Sequence, residues 1–213
     1  SIPGIIAKKA DTLDLSPGQV LWESSRLIEI SNKTALSSWH RIGPFKEDNL
    51  KKAHDRAFIN ETKVDLKKPH GKLKWQIAEK LEDGKQHQLN GANCSTYLYR
   101  TIHSSIERKQ EISIGSDDSF KIWLNGKMVA DKYITRGLAP DQDKIKVDLV
   151  KGENKLLLKV SNGGGGYGFY FKTEAIPLPA AIITAVHLKP FKRTEKQKSI
   201  LAEFYRTIAK ELA

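Results

Sequence analysis

The stretch with the clearest chemical potential in this 213-residue chain is Gly115-Ser116-Asp117-Asp118-Ser119, which runs directly into Phe120-Lys121-Ile122-Trp123-Leu124. Two adjacent carboxylates on a loop, just before a strand, bring several oxygens to one place, and hard cations such as calcium are bound by such oxygens. The pair also has a plainer use, because aspartates in tight turns accept hydrogen bonds from nearby backbone. Glycoside hydrolysis fits poorly. It needs two carboxyls roughly 5 to 10 Å apart across a cleft, which neighbours on one exposed turn seldom provide.

A second segment is Gly163-Gly164-Gly165-Gly166-Tyr167-Gly168, directly after Lys155-Leu156-Leu157-Leu158-Lys159-Val160-Ser161-Asn162. Five glycines in six positions cannot build a core, so this loop either turns tightly or lets a backbone or ligand approach closely. It lacks the Gly-Lys-Ser/Thr ending of a phosphate-binding loop and follows no parallel-sheet pattern. The histidines His40, His54, His70, His87, His103 and His187 form no His-x-x-x-His or Glu-flanked pair, so a histidine metal centre is not expected. Neither a Gly-x-Ser-x-Gly elbow nor a Cys-x-x-Cys-His haem motif is present.

Both segments are embedded in alternating text. Leu73 to Ile77, Tyr97 to Ile102, Ile112 with Ile114, Phe120-Ile122-Leu124, Ile145-Val147-Leu149, Leu156-Leu158-Val160 and Phe169-Phe171 place apolar side chains at every second position, the pattern of half-buried strands. Asn125-Gly126 is a two-residue hairpin turn, and Lys151-Gly152-Glu153-Asn154 reads as another. Upstream, Ser37 to Phe45 reads as a strand ended by Gly43-Pro44, and Lys46 to Phe58 as a short helix through Leu50, Ala53, Ala57 and Phe58. Many short strands without helical crossovers predict an all-β fold, an antiparallel jelly-roll sandwich. Pro177 and Pro179 break the last strand, and Thr194 with Gln197 has capping-box spacing. Ile200, Leu201, Phe204, Tyr205, Ile208 and Leu212 follow as one apolar helical stripe. The expected organisation is a docked lead-in over residues 1–33, a sandwich over 34–178, and a linker with an amphipathic helix over 179–213.

The Asp-Asp hairpin resembles the protective-antigen-type β-sandwich module, also found in yeast flocculins, with its Ser-Asp-Asp-Gly, strand, Asn/Asp-Gly-Lys pattern. Ser119 stands where that family usually has glycine. In sugar-binding members the paired aspartates hold calcium and the ion holds sugar hydroxyls, roles the resemblance carries to Asp117 and Asp118. An asparagine and loop carbonyls complete the family's cation site, which puts Asn162, Gly163 and Gly164 in the candidate ligand set. Residues 37–172, including Ala92 to Ile102 and Arg136 to Lys144, look like the sandwich domain of large planctomycete proteins that also bear cytochrome-like domains. The resemblance implies export, polysaccharide handling and a module excised from a longer chain.

Charge fits this reading without demanding it. Lysine and arginine number 36 against 25 acidic residues, a net +11, divided as 4 against 4 over residues 1–33, 25 against 18 over 34–178, and 7 against 3 over 179–213. So diffuse an excess attracts polyanions in general, acidic polysaccharide included, but lacks the clustered face of a specific nucleic-acid binder. The single cysteine, Cys94, excludes an internal disulfide, and no run reaches the roughly 18 apolar residues of a membrane span. The residue-level expectation is a non-catalytic, calcium-dependent carbohydrate-binding module using Asp117, Asp118 and Asn162. Tyr167 supplies a stacking ring and Arg136 or nearby lysines favour acidic or sulfated glycans. The alternative is a docking module that positions neighbouring domains through the Thr194 to Leu212 helix.

Overall fold

A computed structural model describes residues 34–208, except 105, 174–175, 178–180, 183–184, 186–187 and 189. The lead-in over residues 1–33 and Leu212 lie outside the described residues, as do the side chains of Phe204, Tyr205 and Ile208. The strands are β1 (Ala35–Leu36), β2 (Trp39–Lys46), β3 (Gln76–Ala78), β4 (Gln86–Gln88), β5 (Cys94–Ser104), β6 (Arg108–Asp117), β7 (Ser119–Leu124), β8 (Lys127–Lys132), β9 (Asp143–Leu149), β10 (Gly152–Asn162), β11 (Gly168–Thr173) and β12 (Ile176–Pro177). Helix α1 spans Leu50–Asp55 and helix α2 spans Glu195–Ile208. A single 3-10 turn, Pro190–Lys192, precedes α2.

The strands form an all-β, two-sheet sandwich. The larger sheet runs β12-β1-β5-β10-β7-β8, with β2 and β3 joined along the free edge of β5, and the smaller runs β4-β11-β6-β9. Pairing is antiparallel apart from β1 with β12, where Ala35 faces Ile176 and Leu36 faces Pro177. The proline expected to break the last strand therefore ends a two-residue edge strand, where its missing N–H costs nothing. Asn125 and Gly126, at φ of 52° and 80°, close the β7–β8 hairpin as their types require. The stretch Lys151-Gly152-Glu153-Asn154 does not close a hairpin. It carries the chain from β9 in the small sheet to β10 in the large one, because β9 pairs only with β6 while β10 lies between β5 and β7. The expected strand from Leu73 to Ile77 is reduced to β3, and β4 adds a strand that the alternation does not mark.

Leu98, Ile102, Ile122, Leu124, Leu156, Leu158 and Val160 of the large sheet meet Ile112, Ile114, Val147, Leu149, Phe169 and Phe171 of the small one in the main core. The large sheet is also covered on its outer face. Tyr97, Tyr99, Trp123 and Leu157 point outward there and are buried beneath Phe58, Ile59, Val64, Leu66 and Leu73. Helix α1 belongs to this cover, started by Asn49, whose side chain accepts the Lys52 N–H at 2.9 Å. Its inner residues Ala53 and His54 are 0% and 2% exposed.

Covering both faces forces polar groups into the interior. Lys159 stands between Tyr97 and Lys121 in the sheet register and is completely buried. Its ammonium donates to the His54 and Arg56 carbonyls at 2.7 Å each, lies 3.6 Å from Glu61 Oε1, and sits 5.4 and 5.5 Å from the Phe58 and Tyr97 ring centres. At the sandwich edge, Arg100, 4% exposed, pairs with both oxygens of Asp83 and lies 4.4 Å over Trp39. The capping box before α2 forms: Gln197 N–H donates to Thr194 Oγ1 at 3.3 Å, and Thr194 N–H donates to Gln197 Oε1 at 2.9 Å.

Candidate functional site

Asp117 ends β6 and Asp118 stands between β6 and β7, at the corner where the chain leaves the small sheet for the large one. The peptide joining them is cis. Asp118 is 4% exposed and its backbone N–H donates to Ser161 O at 3.1 Å, tying the corner to the end of β10. Its carboxylate is held at both ends. Oδ1 accepts the Arg136 backbone N–H at 3.0 Å, and Oδ2 accepts the Gly163 backbone N–H at 2.9 Å. The Ser116 hydroxyl closes the turn by donating to the Asp118 carbonyl at 2.6 Å. The Asp118 carboxylate thus serves in part as a backbone acceptor, the plainer role that aspartate turns allow.

The glycine loop is shaped by its approach to these carboxylates. A β-carbon at Gly166 would overlap Asp117 Oδ2, and one at Gly163 would lie 3.5 Å from Asp118 Oδ2 and 3.3 Å from the Leu50 side chain at the start of α1. Gly165 is needed for its φ of +78°, whereas Gly164 has open space around it. The loop therefore lies against both carboxylates at Gly163 and Gly166 and stands clear at Gly164.

Electrostatically the corner is unbalanced. Burial, and then the neighbouring Asp118, push the Asp117 carboxyl above its ordinary range, opposed by a Leu138 N–H. Among the described residues no lysine or arginine side chain pairs with either carboxylate. The nearest candidate, Arg136, spends its guanidinium elsewhere, on Asp143 Oδ2 at 2.6 Å, Ser116 Oγ at 2.8 Å and the Ser116 carbonyl at 3.2 Å. Arg136 thus reaches Asp118 through its backbone, and its side chain is not directed at a ligand of this loop as expected.

Asn162 is fully buried beside the same loop. Its amide donates to the Gly91 carbonyl at 2.6 Å and its oxygen accepts the Gly164 N–H at 3.2 Å, leaving one oxygen lone pair. The oxygens that fit a hard cation are the two carboxylates, this amide oxygen and loop carbonyls. No cluster of three or more His, Cys, Asp or Glu side chains exists among the described residues, so any cation here would depend on neutral oxygens as well.

Tyr167 corrects the sequence reading. It is 3% exposed, packs in the main core, and donates its hydroxyl to the Val160 carbonyl at 2.8 Å, so its ring is closed to any ligand. The tyrosine faces inward because Gly168 beyond it enters β11 with Phe169 and Phe171 in the same core. Two residues near the corner have contacts that the sequence does not announce: Ser119, whose hydroxyl accepts the Ile134 N–H at 2.9 Å and donates to the Ile134 carbonyl at 2.7 Å, and the exposed Tyr133 just before Ile134. Neither belongs to a motif of its own role; only contact across the fold reveals them.

No protein-family model matches this chain, and no curated protein sequence matches it. Solved structures do resemble it. A PA14 sugar-binding domain from an RTX adhesin has a TM-score of 0.40 at 12% identity, the match covering 64% of this chain and 89% of that one. The PA14 domain of the MpAFP antifreeze protein matches with a TM-score of 0.32 at 16% identity, over 38% of this chain and 44% of that one. The β-glucosidase from Kluyveromyces marxianus in complex with glucose matches with a TM-score of 0.38 at 15% identity, covering 64% of this chain but only 16% of the enzyme.

Proposed function

We propose that this chain is a non-catalytic carbohydrate-binding module in which Asp117 and Asp118 hold a calcium ion at the glycine loop. One observation carries the proposal: two adjacent half-buried or buried carboxylates share a corner with N–H donors but no basic side chain. Like charges so placed repel, and a bound cation relieves them. The Ser-Asp-Asp hairpin with its Asn-Gly turn and following glycine loop supports the same reading through its likeness to protective-antigen-type modules.

In this reading Asp117 and Asp118 supply the charge, the Asn162 oxygen and loop carbonyls complete the oxygen set, and Gly164 leaves the ligand side open. Calcium bound there supplies open coordination positions that accept vicinal sugar hydroxyls. Gly163 N–H and Arg136 N–H hold the Asp118 carboxylate in one orientation, which supports a defined place for the ion. A site with only two carboxylates belongs with the weak calcium sites of extracellular modules, at roughly 10⁻⁴ to 10⁻³ M, which suits an exported protein. Acidic polysaccharides are the preferred partners, given the excess of 36 basic over 25 acidic residues.

Calorimetric titration with calcium, then with a panel of neutral and sulfated polysaccharides with and without chelator, tests this. Calcium-dependent glycan binding that disappears in the Asp117→Asn, Asp118→Asn double variant is expected. Glycan binding that persists unchanged in chelator and in the double variant would overturn the proposal.

A further inference from the structure

We infer that Tyr133 and Lys51 form a second half of the glycan site, the tyrosine stacking on a sugar ring and the lysine selecting an acidic one. The inference rests on the calcium-dependent reading above and deepens it. With Tyr167 closed in the core, any ring offered to a sugar must come from elsewhere. Among the described residues the aromatic side chains left more than half exposed are Tyr133, at 52%, and Phe191, at 77%. Phe191 lies in the 3-10 turn before α2, outside the strands and loops that build the Asp-Asp corner. Tyr133 lies beside it.

Two independent paths lead from the carboxylates to Tyr133. Along the sheet, Ser119 directly follows Asp118 and is bonded both ways to Ile134, the neighbour of Tyr133; two residues further on, Arg136 N–H binds Asp118 Oδ1. The three residues from Tyr133 to Arg136 span at most about 10 Å of extended chain, the reach of a short oligosaccharide. Along α1, Leu50 packs over Gly163, whose N–H binds Asp118 Oδ2, and the next residue, Lys51, places its ammonium 5.5 Å from the centre of the Tyr133 ring. His54 supports the ring from the same helix at 5.4 Å between centres. The ring is thus held by contacts with α1 and still 52% exposed.

Lys51 gives this platform its charge preference. Its side chain is 61% exposed, and its partner Asp55 is an exposed neighbour one helical turn away. Exposed pairs of this kind are weak, so Asp55 is a poor rival to a sulfate or carboxylate on a bound sugar. Arg136, the basic residue that the sequence singles out, is committed to Asp143, whereas Lys51 combines an exposed charge with a place over the Tyr133 ring.

The test compares calcium-saturated wild type, Tyr133→Ala, Tyr133→Leu and Lys51→Gln against fucoidan and carrageenan, each beside its desulfated, uncharged form. Tyr133→Ala and Tyr133→Leu should both lower glycan affinity about three- to tenfold, the size of one lost ring contact, with calcium affinity and thermal midpoint unchanged. Lys51→Gln should lower affinity for the sulfated form about threefold, the size of one exposed ion pair, and leave the desulfated form alone. Wild-type binding unaffected by any of these substitutions, or weakened equally for both forms by Lys51→Gln, overturns the inference while the calcium site stands. Wild type that binds none of these glycans in calcium sinks the site reading itself, and this inference with it.

Discussion

Replacing Lys159 with methionine should reverse some of the protein's response to alkaline pH. Burial lowers the Lys159 pKa from the ordinary 10.5 to about 8, against the opposing pull of Glu61. In the unfolded chain the amine keeps its proton up to 10.5, whereas in the fold it releases it near 8. Between these values the unfolded state binds more protons, so this group's contribution to stability rises with pH across that window. Below about pH 8 the cost of burying the charge is fully present, and above 10.5 it is gone. At about 1.4 kcal/mol per unit, going from pH 7 to pH 9.5 crosses roughly 1.5 units of the window and returns about 2 kcal/mol. Lys159→Met has no such charge, although it leaves the His54 and Arg56 carbonyls without their donor and so shifts the whole curve. Urea denaturation of both proteins at the two pH values isolates the effect. Stability of wild type minus that of the variant should grow by about 2 kcal/mol from pH 7 to pH 9.5. Parallel curves, or a difference that shrinks, would refute the burial of a charge at this position.

Gly166→Ala pushes a β-carbon into Asp117 Oδ2 and should weaken calcium binding about tenfold or more by titration, while Gly164→Ala, with open space around it, should bind as wild type. Asp83→Ala takes the carboxylate from the Arg100 guanidinium, 4% exposed, leaving its charge only neutral partners such as the Ser37 carbonyl, and should cost about 3 kcal/mol in urea denaturation, far more than removing an exposed pair such as Lys52 with Asp48. Thr194→Ala removes one arm of the capping box and should cost the first turn of α2 about 1 kcal/mol, seen as faster amide exchange there with the sandwich unaffected.

Much of the sandwich is legible in the sequence because alternation follows from one buried face. Ile112 and Ile114, or Ile145 and Val147, announce their strands without knowledge of partners. The Asn125-Gly126 turn and the Thr194 cap are legible for the same reason, being local. Which sheet a strand joins is not local, and that is where Lys151 to Asn154 misleads: a turn specifies a reversal, not a partner. The outer cover is similarly hidden. Leu157 between Lys155 and Lys159, and Trp123 beside Lys121, hint at a second buried face, but only the fold shows Phe58 and Leu66 lying over them. At the site, the aspartates and glycines are readable as a motif. The directions of Tyr167 and of the Arg136 guanidinium are not, since each is settled by a partner that the strand arrangement, not a local motif, brings into place, Val160 for one and Asp143 for the other.

The parallel pairing of β1 with β12 has a mechanical consequence. The two strands run the same way side by side, so the first residue of β1, Ala35, and the last residue of β12, Pro177, stand at opposite ends of the pair. Tension applied through those two residues pulls the neighbouring strands past each other along their length. Their bridging contacts then carry load together, and β5, paired with β1 through His103 and Ile102, takes up the same load from the far side. A hairpin pulled from its open end would instead unzip, its bonds breaking in succession. Joined between other segments, this sandwich is gripped at its ends in shear, the loading direction in which strand pairs hold best.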